Sequence, residues 1–175
     1  MPNWCSNSLQ ITGTKEEITE LFEKLEACKG QDFFDLFVQN AHEASADDDW
    51  YAYNLENYGC KWNCNANDWD VESGDGTTIT ISFDSPWGPP NKLFEALTEK
   101  YTEVLAYYYE PGMAFCGSFW NGDEECYDIP DTAEEARDTI PSDIDDLFCI
   151  SEQIADREAE IQGEDDEEDD EQSRC

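Results

Sequence analysis

Cysteine and histidine are the residue types in this chain that could bind a metal ion or act in nucleophilic catalysis. There are eight cysteines, and the only histidine is His42. Cys60 and Cys64, with three residues between them, come nearest to a zinc knuckle, and no CxxC pair is present. A structural zinc site needs about four ligands, and a cysteine nucleophile needs a neighbouring base, whereas His42 lies in a polar segment. The spacing therefore predicts small buried thiols, with no metal and no cofactor.

Glu110 is the residue best placed for acid–base chemistry. It precedes Pro111-Gly112, a turn between two predicted strands, and we expect Trp87 and Lys61 nearby. Aromatic surroundings raise the pKa of a carboxyl group, as a general acid requires. The alternative is a structural carboxylate that pairs with Lys61 or accepts hydrogen bonds from backbone amides. The structural alternative is favoured, because no GxSxG, P-loop or HExxH motif accompanies it.

The compartment follows from the cysteines and the amino-terminal residues. The opening MPNWCSNSLQ has neither a basic region nor an apolar signal core, and no later stretch is apolar enough to span a bilayer. Without export, thiols stay reduced in the cytoplasm. We therefore expect a cytoplasmic protein without disulfides.

Charge is the strongest functional signal in the sequence. The formal net charge is −35, from 44 acids against nine lysines and arginines. Residues 1–130 carry 25 acids and six basic residues (net −19), residues 131–162 carry 11 and two (net −9), and residues 163–175 carry eight and one (net −7). Direct binding to nucleic acid or to an anionic membrane needs clustered basic residues, so both are excluded. Basic proteins and basic nucleic-acid-binding clefts are the partners that such a field attracts.

Rigid rows of carboxylates could occupy a DNA-binding groove in place of DNA. B-DNA presents about one negative charge per 1.7 Å of its axis. Mimicry requires carboxylates fixed on helices, outside the apolar stripe of each helix. Ten acids on two predicted helical segments meet this condition, and we predict that they bind the partner: Glu16, Glu20, Glu23, Asp143, Asp145, Asp146, Glu152, Asp156, Glu158 and Glu160.

The first element pair that positions these acids is a strand followed by a helix. Residues 7–12 alternate as a half-buried strand does, and Gly13 ends the alternation. Thr14 and Glu17 form a capping box at the start of the helix. The helix then places its apolar residues on one stripe, which comprises Ile18, Leu21, Phe22, Leu25 and Cys28.

The middle of the chain predicts a hairpin and a second helix. Residues 69–71 and 78–83 are joined by Gly74-Asp75-Gly76, and Pro89-Pro90 opens a helix with an apolar face. Four of the six tryptophans lie between Trp50 and Pro90, so we expect this segment to form the core. Strands at 104–109 and 115–120 complete the order β-α-β-β-α-β-β. This order predicts an α+β, ferredoxin-like antiparallel sheet, with helices on one face and an added edge strand.

Three regions are predicted along the chain. Residues 1–130 form the ferredoxin-like domain. Residues 131–162 form an acidic helical extension that begins at a capping box of Thr132 and Glu135. Residues 163–175 form a disordered acidic tail, because residues 164–171 are eight consecutive acids that repel one another.

Several motifs of the chain occur together in one known family. They are MPNWCSN at residues 1–7, Trp50-Tyr51, NYGCKW at 57–62, FDSPWGPP at 83–90 and YEPGMAFCG at 109–117. In combination they resemble the phage and plasmid proteins called Api92-like or YubB ferredoxin-like, over about residues 1–122. The resemblance implies a ferredoxin-like domain of mobile-element origin and brings no activity. Cys60 departs from the family pattern, in which a residue like threonine is expected.

Charge and resemblance together predict a non-enzymatic inhibitor from a mobile element. It would mimic DNA and bind the basic cleft of a host nucleic-acid-acting defence protein, such as a restriction or CRISPR component. Two alternatives remain open: a small metal-dependent or carboxylate-using enzyme built on Glu110 and the Cys60/Cys64 region, and a general protein-interaction module. The oligomeric state is not indicated by the sequence.

Overall fold

The computed structural model describes residues 3–38, 50–64 and 69–172, with side chains as far as residue 161. His42 and the acidic run at residues 47–49 lie outside the described residues. The elements of the first part are β1 (Trp4–Thr12), α1 (Lys15–Ala27), a 3-10 turn (Phe34–Leu36), α2 (Trp50–Asn57), β2 (Trp69–Ser73), β3 (Thr78–Pro86), α3 (Asn91–Thr98), β4 (Glu103–Glu110), β5 (Phe115–Trp120) and β6 (Asp123–Asp128). The last three helices are α4 (Ala133–Thr139), α5 (Ser142–Phe148) and α6 (Ile150–Gln172).

The six strands form one sheet in the order β2-β3-β1-β4-β5-β6. The pairs β1–β3, β1–β4, β2–β3 and β4–β5 are antiparallel. The first four strands have the ferredoxin-like order, which confirms the predicted fold. Two strands, rather than the one expected, extend the sheet beyond β4. Asn121 and Gly122 both have positive φ, as in the tight turn that joins neighbouring strands, so the chain returns as β6.

The core lies between one sheet face and the helices α1 and α3. The register pairs Leu9 with Ala106 and Ile11 with Val104, which sets the buried face of β4. Leu105, Tyr107 and Tyr109, which share a side as predicted, are therefore only half-buried on the opposite face. The fully enclosed residues on the core side include Leu9, Ile11, Ile79, Ile81, Leu25, Leu93 and Phe94.

Helix α1 begins and packs as the sequence predicts. Thr14 Oγ1 accepts a hydrogen bond from the Glu17 amide at 3.3 Å, and Glu17 Oε2 accepts one from the Thr14 amide at 2.9 Å. Ile18, Leu21 and Leu25 are buried, so their apolar face anchors the helix to the sheet. The acids of the helix consequently point away from the core.

The expectation that residues 50–90 form the core is confirmed for buried residues such as Tyr58, Ile81 and Phe83, but the tryptophans of this segment are not enclosed. Trp50 and Trp87 are 41% and 43% exposed, and Trp62 and Trp69 are half-buried. The core aromatics are smaller rings whose centroids lie 5.1 to 5.6 Å apart, namely Phe33, Phe34, Tyr58 and Phe83. A tryptophan is large and carries an N–H that needs an acceptor, so it is rarely enclosed completely. Residues 50–57 also form helix α2, which the sequence reading did not predict.

The chain divides into two compact units, residues 1–126 and 127–175. In the second unit, Thr132 Oγ1 accepts a hydrogen bond from the Glu135 amide and starts α4. Cys149, with a φ of 53°, ends α5 and allows α6 to start at once. The buried apolar residues of this unit are Ala133, Ala136, Ile140, Ile144, Ile150 and Ile154.

Helix α6 continues to Gln172 and so includes residues 163–172, where the acidic run predicts disorder. Extending an existing helix needs no new nucleus, and glutamate is a good helix former. These two effects oppose the repulsion between neighbouring acids. None of the described helices is long and apolar enough to cross a membrane.

Candidate functional site

The acids predicted on α1 lie on its outer surface. Glu16, Glu20 and Glu23 are all exposed. Glu20 accepts a hydrogen bond from Lys24 at 2.6 Å, which lowers the pKa of the Glu20 carboxyl group. Just beyond the end of the helix, Lys29 pairs with Glu26 at 2.8 Å. The α1 surface is therefore acidic but partly neutralised by neighbouring lysines.

The second predicted group lies on α5 and α6. Asp143, Asp146, Glu152, Asp156 and Glu160 are exposed, and Asp145 and Glu158 are half-buried. Among the side chains that the structure describes, neither Arg137 nor Arg157 forms an ion pair with Glu152, Asp156 or Glu160. These three carboxylates are thus less neutralised than Glu20 and Glu26, which both pair with lysines.

Asp145 has a structural role within this group. Its Oδ1 accepts a hydrogen bond from the Ser151 amide at 2.7 Å, and Ser151 lies in the first turn of α6. A carboxylate at that position satisfies an otherwise unpaired amide and interacts favourably with the helix dipole. Asp145 therefore fixes the start of the helix that carries the four acids from Glu152 to Glu160.

The spacing on α6 can be compared with DNA. Glu152, Asp156 and Glu160 are four residues apart and share one helix face, about 6 Å from one to the next along the axis. One DNA strand carries a phosphate every 3.4 Å or so of axis. This row therefore matches about every second phosphate. The two predicted groups of acids belong to different units.

Glu110 is a buried structural acceptor. The residue is only 1% exposed. Its two carboxylate oxygens accept hydrogen bonds from the amides of Gly112 (2.9 Å) and Met113 (2.5 Å). This is the amide-capping role that the sequence favoured. Lys61, the other expected partner, instead lies over the rings of Tyr51 and Trp62, 5.9 and 5.1 Å from their centroids.

Cys60 and Cys64 are buried thiols. Burial raises the pKa of each to about 12, so at neutral pH both are protonated. Cys60 Sγ donates to the carbonyl of Trp62 at 3.2 Å. Within the described residues no group of three or more potential ligands is arranged to hold a metal ion.

Thiol labelling should follow burial. We expect iodoacetamide at pH 7.5 to modify the exposed Cys126 and Cys149 at least about tenfold faster than Cys60 and Cys64, because only thiolate reacts and burial blocks access. Peptide mass spectrometry after timed quenching measures each rate. In denaturant the four rates should converge. Fast labelling of Cys60 in the folded protein would instead indicate a reactive thiol.

A feature that the sequence reading missed is an open groove of about 350 Å³ in the first unit, lined by Tyr51, Leu55, Cys60, Lys61, Pro86 and Trp87. Trp87 follows the last residue of β3 and has a φ of 70°. The run Pro86-Trp87-Gly88-Pro89-Pro90 was the signal in the sequence. Its tryptophan lies among turn residues and so belongs to no strand or helix pattern that would bury it. NYGCKW and FDSPWGPP, far apart in sequence, both contribute residues to this groove.

A comparison with protein-family profiles agrees with the fold. The profile of the family described as "Ferredoxin-like domain in Api92-like protein" matches residues 58–172. The match continues past residue 122, where the motif resemblance ended. A crystal structure of the protein api92 from Yersinia pseudotuberculosis aligns with a TM-score of 0.46 and 11% identity, covering 74% of this chain and 99% of that chain. No curated protein matches the sequence significantly.

Proposed function

The chain belongs to the family of Api92-like proteins with a ferredoxin-like domain, and on this fold we propose a non-enzymatic inhibitor that acts through its carboxylates. It mimics DNA and binds the basic cleft of a host nucleic-acid-acting defence protein of the restriction or CRISPR type. The partner is a basic protein in the cytoplasm of the host cell, and neither nucleic acid nor membrane is bound directly.

One observation carries the proposal. The three acids at helical spacing on α6, Glu152, Asp156 and Glu160, are exposed on an element whose start is fixed by Asp145. Carboxylates on a rigid helix bind a complementary surface with a more favourable free energy than carboxylates on a mobile chain, because less conformational entropy is lost on binding. The surrounding charge also supports fast association, since residues 131–162 carry a net −9.

The carboxylate-using enzyme is the weaker alternative. Glu110 is buried, and each of its oxygens already accepts a hydrogen bond from a backbone amide. Cys60 and Cys64 are protonated at neutral pH because of burial. A general protein-interaction module would use the same acidic surface. It differs from the proposed inhibitor in that DNA would not compete with it for the partner.

The test is capture of a partner followed by competition with DNA. We expect the immobilised full-length protein to retain a nucleic-acid-binding protein from host lysate, to release it between about 0.1 and 0.5 M salt, and to lose it to added duplex DNA. Retention of proteins that do not bind nucleic acid, release that is indifferent to salt, or no competition by duplex DNA would each reject the mimicry.

Matched charge variants then locate the surface. We expect the triple change Glu152→Gln, Asp156→Asn and Glu160→Gln to weaken binding of that partner about tenfold or more, since each interfacial charge contributes up to about 1 kcal/mol. The control removes three exposed acids outside the predicted set: Glu56→Gln, Glu72→Gln and Glu99→Gln. It has the same net charge and should bind within about threefold of the unchanged protein. Equal weakening by both triples would show that only net charge matters.

A further inference from the structure

The groove in the first unit is built from two segments that fold toward each other. Gly59 has a φ of 86°, and a Cβ there would lie 2.9 Å from the Lys92 backbone nitrogen. The backbone after α2 therefore approaches the start of α3 more closely than a side chain would permit. The Leu93 amide also donates to the Tyr58 carbonyl at 3.2 Å, which ties the two segments together.

Trp87 is held outside the core by its backbone. Its amide donates to the Asn3 carbonyl at 2.9 Å, and the Ser85 hydroxyl donates to the Gly88 carbonyl at 2.7 Å. The positive φ of a bulky residue costs about 1 kcal/mol or more. Despite that cost, the residue remains 43% exposed and is not enclosed by the core. A strained residue that displays an aromatic ring is typical of a binding site.

Lys61 lines the same groove as Trp87. Asn54 is only 6% exposed. Its side-chain amide donates a hydrogen bond to the Lys61 carbonyl at 3.0 Å and fixes the backbone there. The ammonium group lies over the Tyr51 and Trp62 rings. Lys61 forms no ion pair with any described carboxylate, and no acid is among the lining residues. The groove is therefore a locally cationic, aromatic site on an acidic unit.

From this geometry we propose that the groove binds a nucleoside monophosphate. The base stacks on Trp87, and the phosphate binds the Lys61 ammonium group. Ring stacking is tolerant of base identity, and a lysine binds phosphate as a point charge. The volume, about 350 Å³, is at the lower end of small-ligand sites. Such a site is independent of the acids proposed to bind the protein partner.

The acidity of the unit does not prevent this binding. At about 0.15 M ionic strength the screening length is about 8 Å, so exposed acids farther away act weakly on a ligand phosphate. The contact with Lys61 is short-range and persists under those conditions. A nucleic-acid strand would extend past the groove to the acidic surface and be repelled, which restricts the site to small ligands.

Titration with adenosine 5′-monophosphate tests the proposal. With the full chain in 150 mM salt we expect saturable shifts of the tryptophan indole N–H signals by NMR, and a Kd of 10 mM or below. Adenosine, which lacks the phosphate, should bind about tenfold more weakly, as should the Lys61→Gln variant. Trp87→Leu should weaken binding about tenfold or more, whereas Trp87→Phe, which keeps a ring, should recover most of the affinity.

Two matched substitutions serve as controls. Lys100→Gln removes another lysine, which lies 5.2 Å from the centroid of the Tyr101 ring, and Trp120→Leu removes a tryptophan that is 55% exposed. Both should bind adenosine 5′-monophosphate like the unchanged protein. The proposal is overturned if no nucleoside 5′-monophosphate binds or if adenosine binds equally well. It is also overturned if the two control variants lose as much affinity as Lys61→Gln and Trp87→Leu. Binding of a proline-rich peptide without any nucleotide binding would overturn it too.

Discussion

Replacing Glu110 with alanine is expected to lower the free energy of unfolding by about 3 kcal/mol or more. The change removes the acceptor of two backbone amides, those of Gly112 and Met113, at a site that is 1% exposed. Hydrogen bonds to a charged group contribute about 1.5–3 kcal/mol each. Urea denaturation followed by far-UV circular dichroism measures the change.

A second substitution and a control define the cause. Glu110→Gln keeps one acceptor oxygen but presents an amide group to the other backbone N–H, so we expect an intermediate loss of about 2 kcal/mol. Glu103→Ala, at the half-buried opposite end of β4, should cost less than about 1 kcal/mol. Unchanged stability in Glu110→Ala would contradict the structural role and return Glu110 to consideration as a functional acid.

Gly117→Ala is expected to destabilise the sheet edge by about 3 kcal/mol or more. Gly117 lies opposite Tyr108 in the β4–β5 register, and an added Cβ would lie 2.5 Å from the Tyr108 hydroxyl oxygen and even closer to the Glu125 carbonyl. Neither neighbour can yield easily, because Tyr108 is 1% exposed and the carbonyl belongs to β6. Overpacking against backbone costs more than overpacking against a flexible side chain.

The same contact explains why β6 stays on the sheet. The Tyr108 hydroxyl reaches over Gly117 and donates to Glu124 Oε1 at 3.1 Å or the Glu125 carbonyl at 3.2 Å. We therefore expect amide hydrogen exchange in Gly117→Ala to increase most in β5 and β6. Gly88→Ala, whose added Cβ would have its nearest neighbour at 3.9 Å, is the control and should change stability by less than about 1 kcal/mol. Equal losses in both variants would indicate a general effect of replacing glycine.

The acids and the groove suggest two separable binding activities on one chain. The proposed protein partner is recognised by carboxylates, so its binding weakens as salt rises. The proposed small ligand is recognised by stacking and by a single lysine, so its binding depends on Trp87 and Lys61. Variants of one surface should leave the other intact, and each proposal therefore stands or falls separately.

The sequence by itself determined the elements whose signals are local. The capping box of Thr14 and Glu17, the apolar stripe of α1 and the hairpin at residues 74–76 depend on neighbours within a few positions. Their order determined the ferredoxin-like topology, because few arrangements bury one face of such a sheet. The amide-capping alternative for Glu110 also followed locally, from a carboxylate next to a Pro-Gly turn.

Only the tertiary structure decided which large side chains are enclosed. Residues 50–90 do supply part of the core, Phe83 among them, but their tryptophans are not enclosed, and Phe33 and Phe34 from a distant segment fill the space beside Phe83. Burial depends on the volume left by those neighbours, which no local pattern encodes. For the same reason no local pattern shows that NYGCKW and FDSPWGPP, which are far apart in sequence, come together to form the groove that Lys61 and Trp87 line. It exists because Gly59 and a positive φ at Trp87 bring two distant segments together.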